Sequence, residues 1–384
     1  MKNQTILVLG GGVGGVVTAA LLKKKLGKEH RIVVVEREER HLFAPSLLWL
    51  MTGQRSADKI SRPLTRLEKK GIEVVRGEIQ RIDPETREVT VGDKSIGGDY
   101  LVIALGAELA PETIPGLTQA GHSFYDLAGA EGLRDALRDF RAGRLVVLTA
   151  APAYKCPAAP YEGAMLIEAW YRKQGIRDRV EIEVYAAEPA PMGVAGPHVS
   201  NAVTQLLAAR GIPYHPAHQV TTVDAGAKRL AFANGAQADF DLLAYVPPHR
   251  APAVVRESGL TGDSGWVPVD RHTLQTRWSQ VYAIGDVVSI PLALGKPLPK
   301  AGVFAHRQAD VVAENIAHEI AGTPAFARFD GHGECFIEIG DGKAGFGGGD
   351  FYAEPTPAVT LRMPSWRWHL GKVWLEKAWL FTKL

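Results

Sequence analysis

Gly10, Gly12 and Gly15 stand in the spacing GxGxxG, directly after the apolar run Thr5–Leu9 and at the start of a helical stretch over residues 16–25. A second apolar run, Arg31–Glu36, ends in an acid. Each glycine has a separate job. Gly10 permits the tight turn, Gly12 lets a pyrophosphate approach the backbone, and Gly15 lets helix and strand pack closely. The helix start then offers free N–H groups and the positive end of its dipole to phosphate. Glu36 can accept hydrogen bonds from a ribose diol and would repel a 2′-phosphate. Strand, glycine turn, helix, and a strand with a terminal acid together predict a dinucleotide site.

The second chemistry-bearing feature is a thiol. Cys156 and Cys335 are the two cysteines of the chain, which excludes a disulfide scaffold and any four-cysteine zinc or iron–sulfur centre, and no metal site is expected. Cys156 lies in the segment 151–162, Ala-Pro-Ala-Tyr-Lys-Cys-Pro-Ala-Ala-Pro-Tyr-Glu. Its flanking prolines and Lys155 predict an electropositive, exposed loop thiol of lowered pKa. Cys335, in Gly333-Glu-Cys-Phe, also fits an ordinary strand.

The elements that must position these groups form two similar units. After the first strand–turn–helix come short strands over 72–75, 79–82 and 88–91, and a buried strand over 100–105 that ends at Gly106. Pro111, Pro115 and Gly116 mark a boundary. A charged helix over 126–142 follows, then a strand over 145–150, a turn and a strand over 180–185. This middle unit repeats the first, but prolines and Cys156 occupy the turn where its glycines should be. A pyridine nucleotide is therefore not expected there. Within residues 276–286 a short apolar strand ends in Gly285-Asp286, and Gly302–Ile320 reads as a long helix opening after Pro299-Lys300-Ala301. Its N-terminal N–H groups would face a developing negative charge.

The tail reads differently. Trp366, Trp368, Trp374 and Trp379 crowd the last 19 residues, with Arg367, His369, Lys372, Lys377 and Lys383 between them. At 100° per residue, His369, Lys372, Glu376 and Lys383 form a narrow polar arc, while Trp366, Leu370, Val373, Trp374, Leu380, Phe381 and Leu384 share another face. Aromatic side chains with basic anchors suit in-plane binding to a membrane surface.

At these residues the chain resembles the sulfide:quinone oxidoreductases, disulfide-reductase-like flavoproteins akin to type II NADH dehydrogenases and to the flavoprotein of flavocytochrome c sulfide dehydrogenase. The resemblance rests on four segments: Gly10–Gly15 with Glu36; Phe43-Ala-Pro-Ser-Leu-Leu-Trp49 with Thr52-Gly-Gln-Arg55; Lys155-Cys-Pro-Ala-Ala-Pro-Tyr-Glu162; and Gly285-Asp286 with Pro299-Lys-Ala-Gly-Val-Phe304. It implies an α/β fold of two Rossmann-like three-layer dinucleotide-binding domains plus a C-terminal membrane-associating region. The expected division is 1–110 with 256–325 for FAD, 111–255 for the second domain carrying Cys156, and 326–384 for the region with Cys335 and the tail.

The resemblance further implies FAD held by Gly10, Gly12, Gly15, Glu36, Pro45, Gly106, Gly285, Asp286, Lys300 and Gly302. Cys156 and Cys335 become a redox pair that sulfide attacks as a disulfide or trisulfide, with Glu162 as acid/base and Lys300 near the quinone side. Electrons pass through FAD to a quinone, and sulfur leaves as polysulfide or zero-valent sulfur. Two departures matter. The stretch His122-Ser-Phe-Tyr-Asp-Leu127 lacks a thiol that many members carry, so FAD is expected to be non-covalent. A histidine common near the sulfur site is Val194 here, with His198 four residues on, and His249 and His306 read as surface or core-edge residues.

Composition agrees with this reading. A charge of +2 over 384 residues gives no electrostatic case for nucleic acid, and 46% hydrophobic residues exclude global disorder. No apolar run reaches the ~20 residues of a membrane-spanning helix. The N-terminal run ends in glycines rather than a cleavage site, so a peripheral membrane protein on the cytoplasmic face is expected. A flavocytochrome-type dehydrogenase would require export and a cytochrome, and an NADH:quinone oxidoreductase a second glycine turn. A non-catalytic persulfide carrier would not require both thiols. Homo-oligomerisation stays open. Truncation before Met363 is expected to free the protein from membranes while sparing reduction of the flavin by sulfide.

Overall fold

Thr5–Leu9 becomes the central strand of a five-stranded parallel sheet in a computed structural model that describes residues 3–384. Its order is Val281–Ala283, Tyr100–Ile103, Thr5–Leu9, Arg31–Glu36, Glu73–Arg76. The central strand is buried on both faces, with Ile6 to Leu9 fully covered, as a continuous β-branched and leucine run dictates for a parallel strand under helices. Helices Val13–Leu26 and Gly302–Ile320 pack against each other beside it. The glycine turn thus opens at the carboxyl end of the sheet, where α/β proteins bind ligands.

A second five-stranded parallel sheet runs His122–Ser123, Leu242–Val246, Gly143–Thr149, Val180–Ala186, Tyr214–His215. Helix Ala159–Lys173 follows the Cys156 loop. A third, antiparallel sheet of His332–Gly340, Lys343–Asp350 and Ala358–Ser365 leads into the last helix, Trp366–Thr382. Helix Ala159–Lys173 lies on strand His332–Gly340, and so the two cysteine segments meet. The short strand expected before Gly285-Asp286 is Val281–Ala283, entered through a turn in which the Thr276 N–H and hydroxyl donate to the Val281 carbonyl. The helix read over 126–142 is Leu127–Asp139, started by Asp126, whose carboxylate accepts the Gly129 N–H at 2.7 Å.

The last helix is arranged inside out. Its polar arc faces the protein: Lys372 and Glu376 are only 5% and 3% exposed. Trp366, Trp374 and Phe381 are 58%, 71% and 66% exposed, with Leu370 beside them. The lipid-anchor reading of Lys372 is thereby corrected, since its ammonium is enclosed. Trp379, Leu380 and Leu384 also turn inward and are buried. Among the described residues, no helix is long and apolar enough to cross a membrane.

Candidate active site

The glycine turn has the shape its spacing predicts. Gly10 takes φ +103°, and a Cβ there would strike the Ala104 carbonyl oxygen at 2.5 Å. A Cβ on Gly15 would sit 1.8 Å from the Gly10 oxygen, so that helix and strand touch only because the residue is glycine. Gly12 borders open space, and a Cβ there would meet nothing within 4 Å. Glu36 closes the turn from the side, its carboxylate accepting the N–H groups of Gly11 at 2.5 Å, Arg37 at 2.8 Å and Glu38 at 3.0 Å.

Beside the turn, where a Cβ on Gly14 would meet Ile284 Cδ1 at 3.0 Å, Gly285 takes φ +76° and donates its N–H to Gln308 Oε1 at 2.7 Å. Asp286 Oδ1 is sealed from solvent with no hydrogen-bond partner in the chain. Burial pushes its carboxyl up, against Lys155 and Lys300. An orphaned buried acceptor, together with an open glycine turn, fits a hydroxyl-bearing dinucleotide cofactor. Gly106, at φ +68°, also borders open space. Gly302 is exposed as the first residue of its helix, and Pro45 is exposed in the short turn Ala44–Ser46.

Lys300 stands just before the long helix Gly302–Ile320. It is buried, and its ammonium donates to the Asp286 and Val288 carbonyls at 2.7 and 3.0 Å while lying 3.4 Å over the Trp266 ring. Burial lowers its pKa to about 8, with Asp286 opposing. Its backbone oxygen accepts the Cys156 N–H at 2.6 Å, which ties the thiol loop to the Gly-Asp segment. Cys156 itself has φ +52°, a left-handed conformation that an L side chain adopts at a cost.

The thiols come together around a buried ion pair. Glu162 Oε2 accepts Lys372 Nζ at 2.7 Å and the Glu338 N–H at 2.8 Å. Glu338 is in turn paired with His369 Nδ1 at 3.0 Å. Burial lifts Glu162 above the usual carboxylate range despite Lys372. Burial works against the Lys372 charge too, but Glu162 and Glu338 outweigh it and the lysine holds its proton. Both thiols are pushed up, contrary to the exposed, acidic thiol expected from Lys155. For Cys156 the causes are desolvation, then Cys335 and Glu162; for Cys335, raised to about 12, desolvation and then Glu162. Lys372 is the cation that opposes this at both sulfurs.

Glu162→Gln should therefore shift both thiol titrations to lower pH, because a raising charge is lost and Lys372 stays. The pH profile of alkylation of the reduced protein by a bimane reagent checks this. An unmoved or upward shift would refute it.

Lys372, Glu338 and His369 were not legible as site residues. The signal available was the polar arc itself, which is too narrow for a solvated helix face and ends up buried. The mouth of the second sheet is filled rather than open. Glu188 accepts the hydroxyls of Tyr161 at 2.5 Å, Thr149 at 2.7 Å and Tyr154. His249 sits at the edge of the core: its Nδ1 lies 2.8 Å from the Pro247 carbonyl, its Nε2 is buried without a partner, and burial with Lys155 and Lys300 lowers its pKa to about 3.

Comparison with known proteins agrees with this geometry. The chain is similar to the mitochondrial sulfide:quinone oxidoreductase of Mus musculus, 25% identical over 92% of this chain and 80% of that one. It is 28% identical to the demethylphylloquinone reductase of Synechocystis, over 97% and 96% of the two chains. The crystal structure of the sulfide:quinone oxidoreductase from Aquifex aeolicus superposes with a TM-score of 0.90 at 26% identity, covering 99% of this chain and 91% of that one. The sequence profile of the pyridine nucleotide-disulphide oxidoreductases spans residues 4–309, from the first strand through the glycine turn and the Gly-Asp segment into the long helix, and the protein belongs to that family.

Proposed function

We propose that the protein oxidises sulfide at Cys156 and Cys335 and delivers the electrons to a membrane quinone. The observation that carries this reading is the meeting of two thiols, remote in sequence, around the buried Glu162–Lys372 pair. The cofactor is FAD, which when bound takes up two electrons and passes them on as a pair. The turn at Gly10, Gly12 and Gly15, with Glu36, and the orphaned Asp286 oxygen are the groups that would hold it. Ser123 stands where a thiol could have tethered it, so the attachment is non-covalent.

The chain's own chemistry balances. Hydrosulfide sulfur bonds to one cysteine sulfur of a Cys156–Cys335 bridge, and the other sulfur leaves as a thiolate. The bridge re-forms one sulfur longer on loss of a proton and two electrons, which FAD would accept. The Lys372 ammonium stabilises the thiolate at the moment it forms, and Glu162 holds or releases the accompanying proton. Oxidation of sulfide frees sulfur as polysulfide once the bridge is attacked again. The filled mouth at Glu188 supports the exclusion of NADH and NADPH. The exposed aromatic face of the last helix supports docking on a bilayer, where a lipophilic quinone is reached. The two parallel sheets support a division into an FAD domain and a second domain bearing Cys156.

Anaerobic mixing of the holoenzyme with sulfide or with NADH tests the reading. Sulfide should bleach the flavin in one rapid phase that a quinone reverses, and NADH should not. Rapid bleaching by NADH alone would overturn it and leave NADH:quinone reduction as the activity.

A further inference from the structure

The phosphate turn is gripped by the far end of the chain. Trp379, on the last helix, donates its indole N–H to His41 Nε2 at 2.9 Å, and His41 Nδ1 lies 2.8 Å from the Gly11 carbonyl oxygen. Both rings are buried and lie roughly stacked, 6.0 Å between centroids. An indole nitrogen can only donate, so His41 Nε2 must be the bare lone pair. The ring proton is then on Nδ1 and is given to Gly11. Burial lowers the His41 pKa, which keeps the ring neutral and this arrangement intact.

The consequence follows from peptide geometry. In a trans peptide the carbonyl of one residue and the N–H of the next point in opposite directions. Holding the Gly11 carbonyl on His41 turns the Gly12 N–H away from the histidine, at the residue that borders open space. The Gly11 N–H is held independently by Glu36. Gly11 is crowded besides, since a Cβ there would meet Leu64 Cδ1 at 2.9 Å and Glu36 Cγ at 3.0 Å. Its peptide has no freedom to flip while these bonds last.

We propose that Trp379 and His41 are positioning residues for the dinucleotide cofactor: Trp379 sets the His41 tautomer, and His41 presents the Gly12 N–H to the pyrophosphate. The C-terminal helix is by this route a clamp on the cofactor as well as a cover on the thiols. The inference rests on the family's cofactor and not on sulfide as substrate, so it stands or falls separately from the proposed reaction.

The test uses full-length holoenzyme and reads FAD release by flavin fluorescence after dilution. Trp379→Phe keeps the ring and its packing but loses the donor, and should release FAD roughly fivefold to tenfold faster, the size of one neutral hydrogen bond. His41→Phe should do at least as much. His41→Asn, whose side-chain N–H lies where Nδ1 does, should stay within about twofold of wild type on the same scale. Arg66→Gln with Lys70→Gln loosens the same helix at the Leu380 and Thr382 carbonyls without touching this route. That pair should leave release unchanged. Nitrogen NMR of the histidine side chains should show His41 protonated at Nδ1. The proposal is overturned if Trp379→Phe releases FAD at the wild-type rate, if the Arg66/Lys70 pair accelerates release equally, if Asn and Phe at position 41 behave alike, or if Nε2 carries the proton.

Discussion

Cys156→Ser and Cys335→Ser are each expected to lower sulfide-dependent quinone reduction by about three orders of magnitude or more, the scale on which loss of one member of a cooperating catalytic group acts. A relay through a bridge needs both sulfurs, and the sequence holds no third cysteine to replace either. FAD content should be unchanged, because the hydrogen bonds of the glycine turn, Glu36 and Asp286 run through backbone and carboxylate groups and not through either sulfur. Single-turnover bleaching by sulfide, with flavin counted per chain, measures both quantities. Near-normal turnover in Cys335→Ser would eliminate the paired mechanism, and loss of FAD in either variant would show that the thiols are structural.

Removal of residues 363–384 is expected to disable the sulfur site as well as membrane binding. The sequence alone suggested that flavin reduction would survive, since both thiols and the FAD motifs lie upstream. The structure leads to the opposite expectation. Truncation strips Lys372 from Glu162, His369 from Glu338, Glu376 from Arg55 and Ser46, and Trp379 from His41. Breaking one buried pair by losing a partner costs about 3–5 kcal/mol, against a total stability of roughly 5–15 kcal/mol for a protein. The truncated protein should therefore lose FAD and fail to bleach with sulfide.

A second variant separates the two faces of the helix. Serine substitutions Trp366→Ser, Trp374→Ser and Phe381→Ser alter only exposed side chains, each of which could contribute up to roughly 1.5–3 kcal/mol on burial. They should abolish liposome flotation while FAD content and sulfide bleaching persist. Wild-type bleaching by the truncated protein would show that the buried ion pairs are dispensable. Flotation of the triple variant equal to wild type would show that the aromatic face meets something other than lipid.

The first unit was legible in detail from its residues. Gly10, Gly12 and Gly15 shape the turn through backbone conformation and close approach, local properties that glycine spacing records directly, and Glu36 is placed by being the last residue of the adjoining strand. The same is true of Gly285-Asp286 and of the helix Gly302–Ile320, whose bounds match the reading. The thiol of Cys156 could be placed in a loop, but its environment could not. Lys155 is adjacent in sequence and suggested an acidic thiol, whereas the surroundings that decide its pKa come from strand His332–Gly340 and the last helix. Lys300 reads from sequence as a lysine near the quinone side and the flavin, and its burial against Asp286, Val288 and Trp266 depends on how separate segments pack. The tail shows the difference most clearly. Its two faces were visible in the spacing of residues, yet a helical wheel does not say which face meets the protein. Long-range packing made that choice, because Glu162, Glu338 and Arg55 supply partners for Lys372, His369 and Glu376 of the polar arc, and a buried charge turns inward only where a partner waits.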